Sequence, residues 1–227
     1  MTELVFVRHA QPDWEPDGRA VDQPALTPLG REQARRTAAA LAGERFDHFY
    51  VSPLRRAVET AEPIGSALGM EPQQVYWLEE LRLPKMAGKT AEEIQEFFGS
   101  AWARDLELQW SGMPGGESFR HFYERVSSGV EELLTETHGM QVRSNSGHRI
   151  WHVPQAAERV LVVAHEGTNA VILSHLLGVE PVPWASMRFS SEWTGISRVR
   201  TVPVADGHIW ALACFNRLSH LDGLTEL

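Results

Sequence analysis

Two apolar runs in this 227-residue chain end in histidine. Leu4-Val5-Phe6-Val7 leads into Arg8-His9-Ala10, and Val160 to Ala164 leads into His165-Glu166-Gly167. A third run, Phe49-Tyr50-Val51, is followed by Ser52-Pro53 and then Arg55 and Arg56. In an open parallel sheet, ligands bind at the carboxyl ends of the strands, so these segments predict two imidazoles and a set of guanidinium groups on one rim. Helices starting just after Ser52 and near Thr168 would add free N–H groups and positive potential. Such a collection binds an anion, and phosphate fits it best. Arginine grips two oxygens at once and stays charged, and a neutral imidazole can attack phosphorus.

The elements needed to hold that rim are visible in the pattern. The apolar runs are too short for helices and are continuous rather than alternating, as strands buried on both faces are. Thr27-Pro28 is a helix start with proline at the first position, opening an Ala-rich helix to about Leu41. Ser52-Pro53 predicts a second cap and a helix over Arg55–Leu68 closed by Gly69. Thr90 and Glu93 have capping-box spacing. Phe119, Phe122, Val126, Val130 and Leu133 share one face of a helix begun by Ser118, and Thr168 to Leu177 forms a later one. Residues 196–204 and 208–215 predict a terminal hairpin or edge strands. Strands alternating with helices imply a three-layer α/β/α sandwich with a mostly parallel central sheet. The polar stretch 139–157, built around Ser144-Asn145-Ser146-Gly147, reads as a protruding hairpin.

Composition narrows the function. Hydrophobic residues make up 43% and charged residues 22%, an ordinary globular balance. With 21 Lys and Arg against 30 Asp and Glu the net charge is −9, so bulk charge attracts neither nucleic acid nor an anionic membrane. The single Cys214 excludes an internal disulfide and a Cys-rich zinc site. No signal peptide or membrane span is recognisable, and the expected compartment is the cytoplasm.

Beyond Arg8-His9-Ala10, further segments follow in a fixed order. They are Leu26-Thr27-Pro28-Leu29-Gly30-Arg31-Glu32-Gln33-Ala34, Ser52 to Ala61 (SPLRRAVETA), Gly115-Gly116-Glu117-Ser118, Val163 to Gly167 and Asn216 to Leu221 (NRLSHL). Together they resemble the histidine phosphatase superfamily, which includes phosphoglycerate mutases. The resemblance covers most of the chain and implies one domain over 1–227 with the hairpin as an insertion. It implies that His9 becomes a phosphohistidine while Arg8, Arg56 and His165 clamp the transferring group, with no metal or cofactor. It places the general acid in an LxE segment, which gives Glu80 with Glu79 as the competing neighbour. It also makes Arg56, rather than Arg55, the binding arginine.

Around these, Asp13, Trp14, Lys85 and Glu166 are expected on the substrate rim, with Arg19 and Met86 as further candidates. Pro84 to Ala87 departs from the family's usual Trp- and Glu-containing segment, and Glu166 stands where the family often has glycine. The expected activity is metal-independent hydrolysis of a small phosphorylated metabolite. Phosphoglycerate mutase activity is the alternative, as is a non-catalytic phosphate-binding regulatory module. His148 and His152 have i, i+4 spacing, but their Gly- and Ser-rich surroundings argue against a metal-binding helix. The hairpin and Trp151 are candidate contacts for a homodimer.

Overall fold

The computed structural model describes residues 1–102, 105–145 and 147–224. Eight strands form one sheet in the order β3-β2-β6-β1-β7-β8-β5-β4. These are β1 (Glu3–Arg8), β2 (His48–Val51), β3 (Gln73–Gln74), β4 (Gln141–Asn145), β5 (His148–His152), β6 (Arg159–Ala164), β7 (Ile196–Val204) and β8 (Gly207–Arg217). The four strands from β3 to β1 are parallel, as the helical crossovers between them require. From β1 outward every pairing is antiparallel. The parallel sheet expected from the strand–helix alternation is therefore half of the sheet, and two successive hairpins supply the rest. β7 is not an edge strand: it pairs with β1 on one side and β8 on the other.

β1 is central, between β6 and β7, with Leu4 opposite both Val160 and Val199. Its side chains alternate between two cores. Leu4 and Phe6 pack with Val126, Val130 and Ile172, whereas Val5 and Val7 pack with Ala38, Leu41, Ala61 and Ile64. The first core lies under helices α5 (Phe119–Glu132) and α6 (Glu166–Leu176), the second under α1 (Pro28–Leu41) and α2 (Arg55–Leu68). Burying each such side chain contributes roughly 1.5–3 kcal/mol, so β1 is held rigidly from both faces. Helices α3 (Ala91–Trp102), α4 (Leu106–Trp110) and α7 (Ala185–Arg188) complete the described elements. No helix among the described residues is long and apolar enough to cross a membrane.

Most helix starts follow the sequence. Thr27 accepts from the Gly30 N–H at 2.9 Å, and Ser118 accepts from His121 at 3.1 Å. The Thr90–Glu93 box closes with bonds of 2.8 and 3.3 Å. Three expectations change. The α2 cap position is Leu54, without a side-chain bond, because the Ser52 hydroxyl is used elsewhere. α6 begins at Glu166, two residues before Thr168. The 139–157 segment does form a hairpin, but β5 joins β8 through Trp151 and His208, so it extends the sheet rather than protruding. Trp151 is 1% exposed and meets Trp210 edge-on at 6.2 Å. A side chain buried in this way is no surface for a second copy.

Candidate active site

His9 follows the last residue of β1, and its loop is pinned from four sides. Its N–H donates to the Ala164 carbonyl at 2.8 Å, and Thr194 donates back to the Arg8 carbonyl at 3.0 Å. Ala10 N–H donates to Thr60 Oγ1 and Gln11 N–H to Gln33 Oε1, both at 2.9 Å. Gly30 lets α1 approach this loop, since a Cβ there would collide with the Gln11 carbonyl oxygen. Many of the motif residues that resemble the family thus hold the His9 loop instead of facing a ligand. His9 Nδ1 lies 2.8 Å from the Ala10 carbonyl. A carbonyl only accepts, so Nδ1 carries the proton and Nε2 keeps its lone pair.

Arg56, on the first turn of α2, donates its Nε–H to His9 Nε2 at 3.3 Å. Arg55 instead is exposed and paired with Glu59 at 2.6 Å, so Arg56 is the arginine brought to the cluster. Burial pulls Arg56 down to about 10, against the favourable charge of Glu80 and with Arg8 adding repulsion; it remains charged at neutral pH. The His165 ring lies 5.1 Å from the His9 ring, and its Nε2 meets Ser52 Oγ at 2.7 Å. Arg8 bonds the Ser191 carbonyl, pairs with Glu166 at 2.9 Å and lies over the Trp193 ring at 5.9 Å. Arg8 Nε and His165 Nδ1 are buried with no hydrogen-bond partner.

Burial, reinforced by Arg56 and Arg8, pushes both His9 and His165 well below the usual 6.5. His175 and His220 are lowered too, again chiefly by burial. Each is therefore harder to protonate in the folded chain than in the unfolded one, whose imidazoles take up a proton as the pH falls through about 6.5. Unfolding therefore binds protons, and acid favours it. The expected result is a melting temperature at least about 5 °C lower at pH 5 than at pH 7, measured calorimetrically; a flat profile in that window contradicts the neutral histidines.

Glu80 sits on the other side of His165. Its Oε2 accepts from Gly167 N–H at 2.9 Å, and its Oε1 accepts from Leu81 N–H at 2.9 Å and from Thr168 Oγ1 at 3.4 Å. Gly167 permits this, because a Cβ there would lie 2.6 Å from Oε1. Glu79 turns away and pairs with exposed Arg82 at 2.8 Å. The loop carrying both is held by Arg125 of α5, which donates to the carbonyls of Trp77, Glu79 and Glu80 and pairs with Glu117 at 2.9 Å. Glu117 also accepts from Arg82 N–H. Arg125 and Trp193 were not singled out from sequence. An arginine within an amphipathic helix reads as solvated, and only the distant Glu117 completes its site.

The rim residues divide. Trp14, 45% exposed, lies over the Arg56 guanidinium at 5.0 Å. Glu166 holds Arg8 and accepts from Ser190 at 2.8 Å. Asp13 is half-buried, and its N–H is tied to the Ala25 carbonyl. Lys85 is exposed, next to Met86 and Ala87, whose N–H groups are held by Asp22; no hydrogen bond or ion pair among the described residues joins Asp13 or Lys85 to the cluster. His148 and His152 lie on a strand, where four residues span about 13 Å, too far apart for one metal ion. Among the described residues His48, His138 and Glu158 could hold an ion. There Glu158 at 2.6 Å and the Tyr50 hydroxyl at 3.3 Å engage the two ring nitrogens of His138. That group adjoins the starts of β2 and β6, at the end of the sheet opposite His9.

The family model for the histidine phosphatase superfamily (branch 1) matches residues 4–204. Phosphoserine phosphatase 1 of Hydrogenobacter thermophilus is 31% identical over 183 residues, covering 79% of this chain and 78% of the relative. A probable 2-carboxy-D-arabinitol-1-phosphatase of Arabidopsis thaliana is 31% identical over 222 residues, 95% of this chain but 41% of that longer protein. Among solved structures, a mycobacterial glucosyl-3-phosphoglycerate phosphatase in complex with VO3 superposes with a TM-score of 0.70 at 25% identity. That match covers 95% of this chain and 99% of the other. A sheet that delivers two histidines and two arginines to one rim, and a family match over nearly its whole length, agree: the chain belongs to the histidine phosphatase superfamily, whose members work through a phosphohistidine.

Proposed function

We propose that this chain hydrolyses phosphomonoesters of small metabolites, with His9 as the nucleophile. The observation that carries the reading is the unprotonated Nε2 of His9, turned toward the buried guanidinium of Arg56 and accepting its Nε–H at 3.3 Å. His9 Nε2 attacks phosphorus, and the P–O ester bond breaks with its electron pair passing to the departing oxygen. Glu80, in its protonated form, gives that oxygen its proton. Arg8, Arg56 and His165 hold the equatorial oxygens, where charge develops. The buried Arg8 Nε and His165 Nδ1 are donors a phosphate oxygen would satisfy. In the second half a water passes a proton to the Glu80 carboxylate and attacks phosphorus. The P–N bond then breaks, restoring the His9 lone pair and releasing inorganic phosphate. Protein cations supply the charge compensation, so the scheme requires no metal.

Hydrolysis is favoured over isomerisation of phosphoglycerates because Arg8 and Arg56 are the only arginines or lysines among the described residues placed around His9. A second, distal phosphate has no comparable grip. The test is release of phosphate from phenyl phosphate by protein treated with EDTA, with an acid-labile phosphoprotein trapped by rapid quenching. The expected result is turnover unaffected by the chelator; no turnover, or rescue only by an added divalent ion, overturns the reading.

A further inference from the structure

A cavity of about 210 Å³ opens directly beside Glu80, Glu166 and Gly167. Apart from those two carboxylates its walls are apolar or aromatic: Leu83, Phe98, Met113, Phe119, Tyr123 and Val182 are among them. None of its lining residues is a lysine, arginine or histidine among the described residues. Phe98 comes from α3, Phe119 and Tyr123 from α5, and Val182 from the segment after α6, so separate parts of the chain close around one space.

We infer that this chamber receives the alcohol part of the substrate and that this part is uncharged and apolar, of about the size of one six-membered ring. The inference rests on the proposed hydrolysis at His9. Three observations lead to it. The chamber adjoins the carboxyl placed to protonate the departing oxygen, so it lies where the leaving group must extend. Its volume exceeds the roughly 150 Å³ that suffices for a dry apolar cavity to take up benzene. Its charge is of the wrong sign for an acidic leaving group. Glu166 and Glu80 line it, and among the described residues no cation lines it to pair with a substrate carboxylate. Arg8, the cation at its mouth, is already paired with Glu166, so a carboxylate buried there would stay unpaired, which is strongly unfavourable. Glu166 carries a second role in this arrangement. It holds Arg8 through the 2.9 Å ion pair and places negative charge where the leaving group enters.

The experiment compares kcat/KM for 2-phenylethyl phosphate, phosphoserine and 3-phosphoglycerate, with phenyl phosphate as the reference for hydrolysis itself. The expected result is at least a tenfold preference for 2-phenylethyl phosphate over both carboxylate-bearing esters. Phe119→Ser should shrink that preference at least fivefold while phosphoenzyme still forms from phenyl phosphate. Glu166→Gln should raise kcat/KM for the two carboxylate esters at least threefold more than for 2-phenylethyl phosphate. If phosphoserine or 3-phosphoglycerate is hydrolysed as well as the apolar ester while phenyl phosphate turns over through a phosphoenzyme, the substrate class is overturned and hydrolysis at His9 stands. If phenyl phosphate forms no phosphoenzyme, the hydrolytic reading fails and this inference with it.

Discussion

Replacing His9 with alanine should lower phosphatase turnover by at least about 10⁴-fold, because the covalent half-reaction loses its nucleophile altogether. Phosphate affinity should survive. Arg8 is held by Ser191 and Glu166 and His165 by Ser52, contacts that do not pass through the His9 ring, while Arg56 gives up its bond to His9 Nε2 but keeps its place on α2 under the Trp14 ring. The rise in melting temperature on adding inorganic phosphate should therefore be retained in His9→Ala. Loss of turnover with retained binding identifies a nucleophile. Loss of both, with an unaltered circular dichroism spectrum, marks His9 as a binding group only, and wild-type rates in the variant end the phosphohistidine mechanism for this chain.

Glu80→Gln produces the second large effect, and its size depends on the leaving group. An alkoxide is a poor leaving group and needs the proton, so kcat for an alkyl ester should fall by about 10²–10⁴-fold. Nitrophenolate departs without a proton, so the first half-reaction with p-nitrophenyl phosphate should stay fast. The second half-reaction still lacks its base, and phosphoenzyme should accumulate. The visible sign is a burst of close to one equivalent of nitrophenolate followed by slow release. Glutamine also presents an amide NH2 to the N–H of either Leu81 or Gly167, which both donate to the native carboxylate. A melting curve therefore accompanies the kinetics. Glu79→Gln is the control and should change kcat less than about threefold, since that side chain is paired with exposed Arg82. Equal losses in the two variants, or no burst in Glu80→Gln, remove Glu80 from the acid role.

How legible each residue was depended on how far its placement reached along the chain. Arg8 ends β1, His9 and His165 follow the ends of β1 and β6, and Arg56 lies on the first turn of the helix after β2, so local pattern sufficed to bring them together. The choice between Glu79 and Glu80 could not be local, because both lie in an irregular loop whose orientation is set by Arg125 more than forty residues later. Ser52 has the composition of a helix cap, and only the approach of His165 from β6 claims its hydroxyl. The hairpin was recognisable from its turn residues. Its docking was not, because a single bridge at Trp151 fixes it to the sheet. The aromatic residues of α5 read correctly as a helix face, yet the space left between them and Phe98 of α3 depended on how those helices pack.

The placement of β1 has a consequence for biosynthesis. His9 leaves the ribosome long before its strand can be completed, since β1 has no partner until Val160 has emerged and its second edge waits for Val199. Thr194, which braces the Arg8 carbonyl, emerges only shortly before Val199, and Asn216, which accepts from Glu192 N–H at 2.9 Å, comes later still. A nascent polypeptide must therefore carry an apolar, doubly unpaired segment until Val160 emerges, as slow-forming non-local sheets do. Closure of the sheet and bracing of the His9 loop therefore arrive together, and a product terminated before Val199 and Asn216 would possess the His9 imidazole without the framework around it.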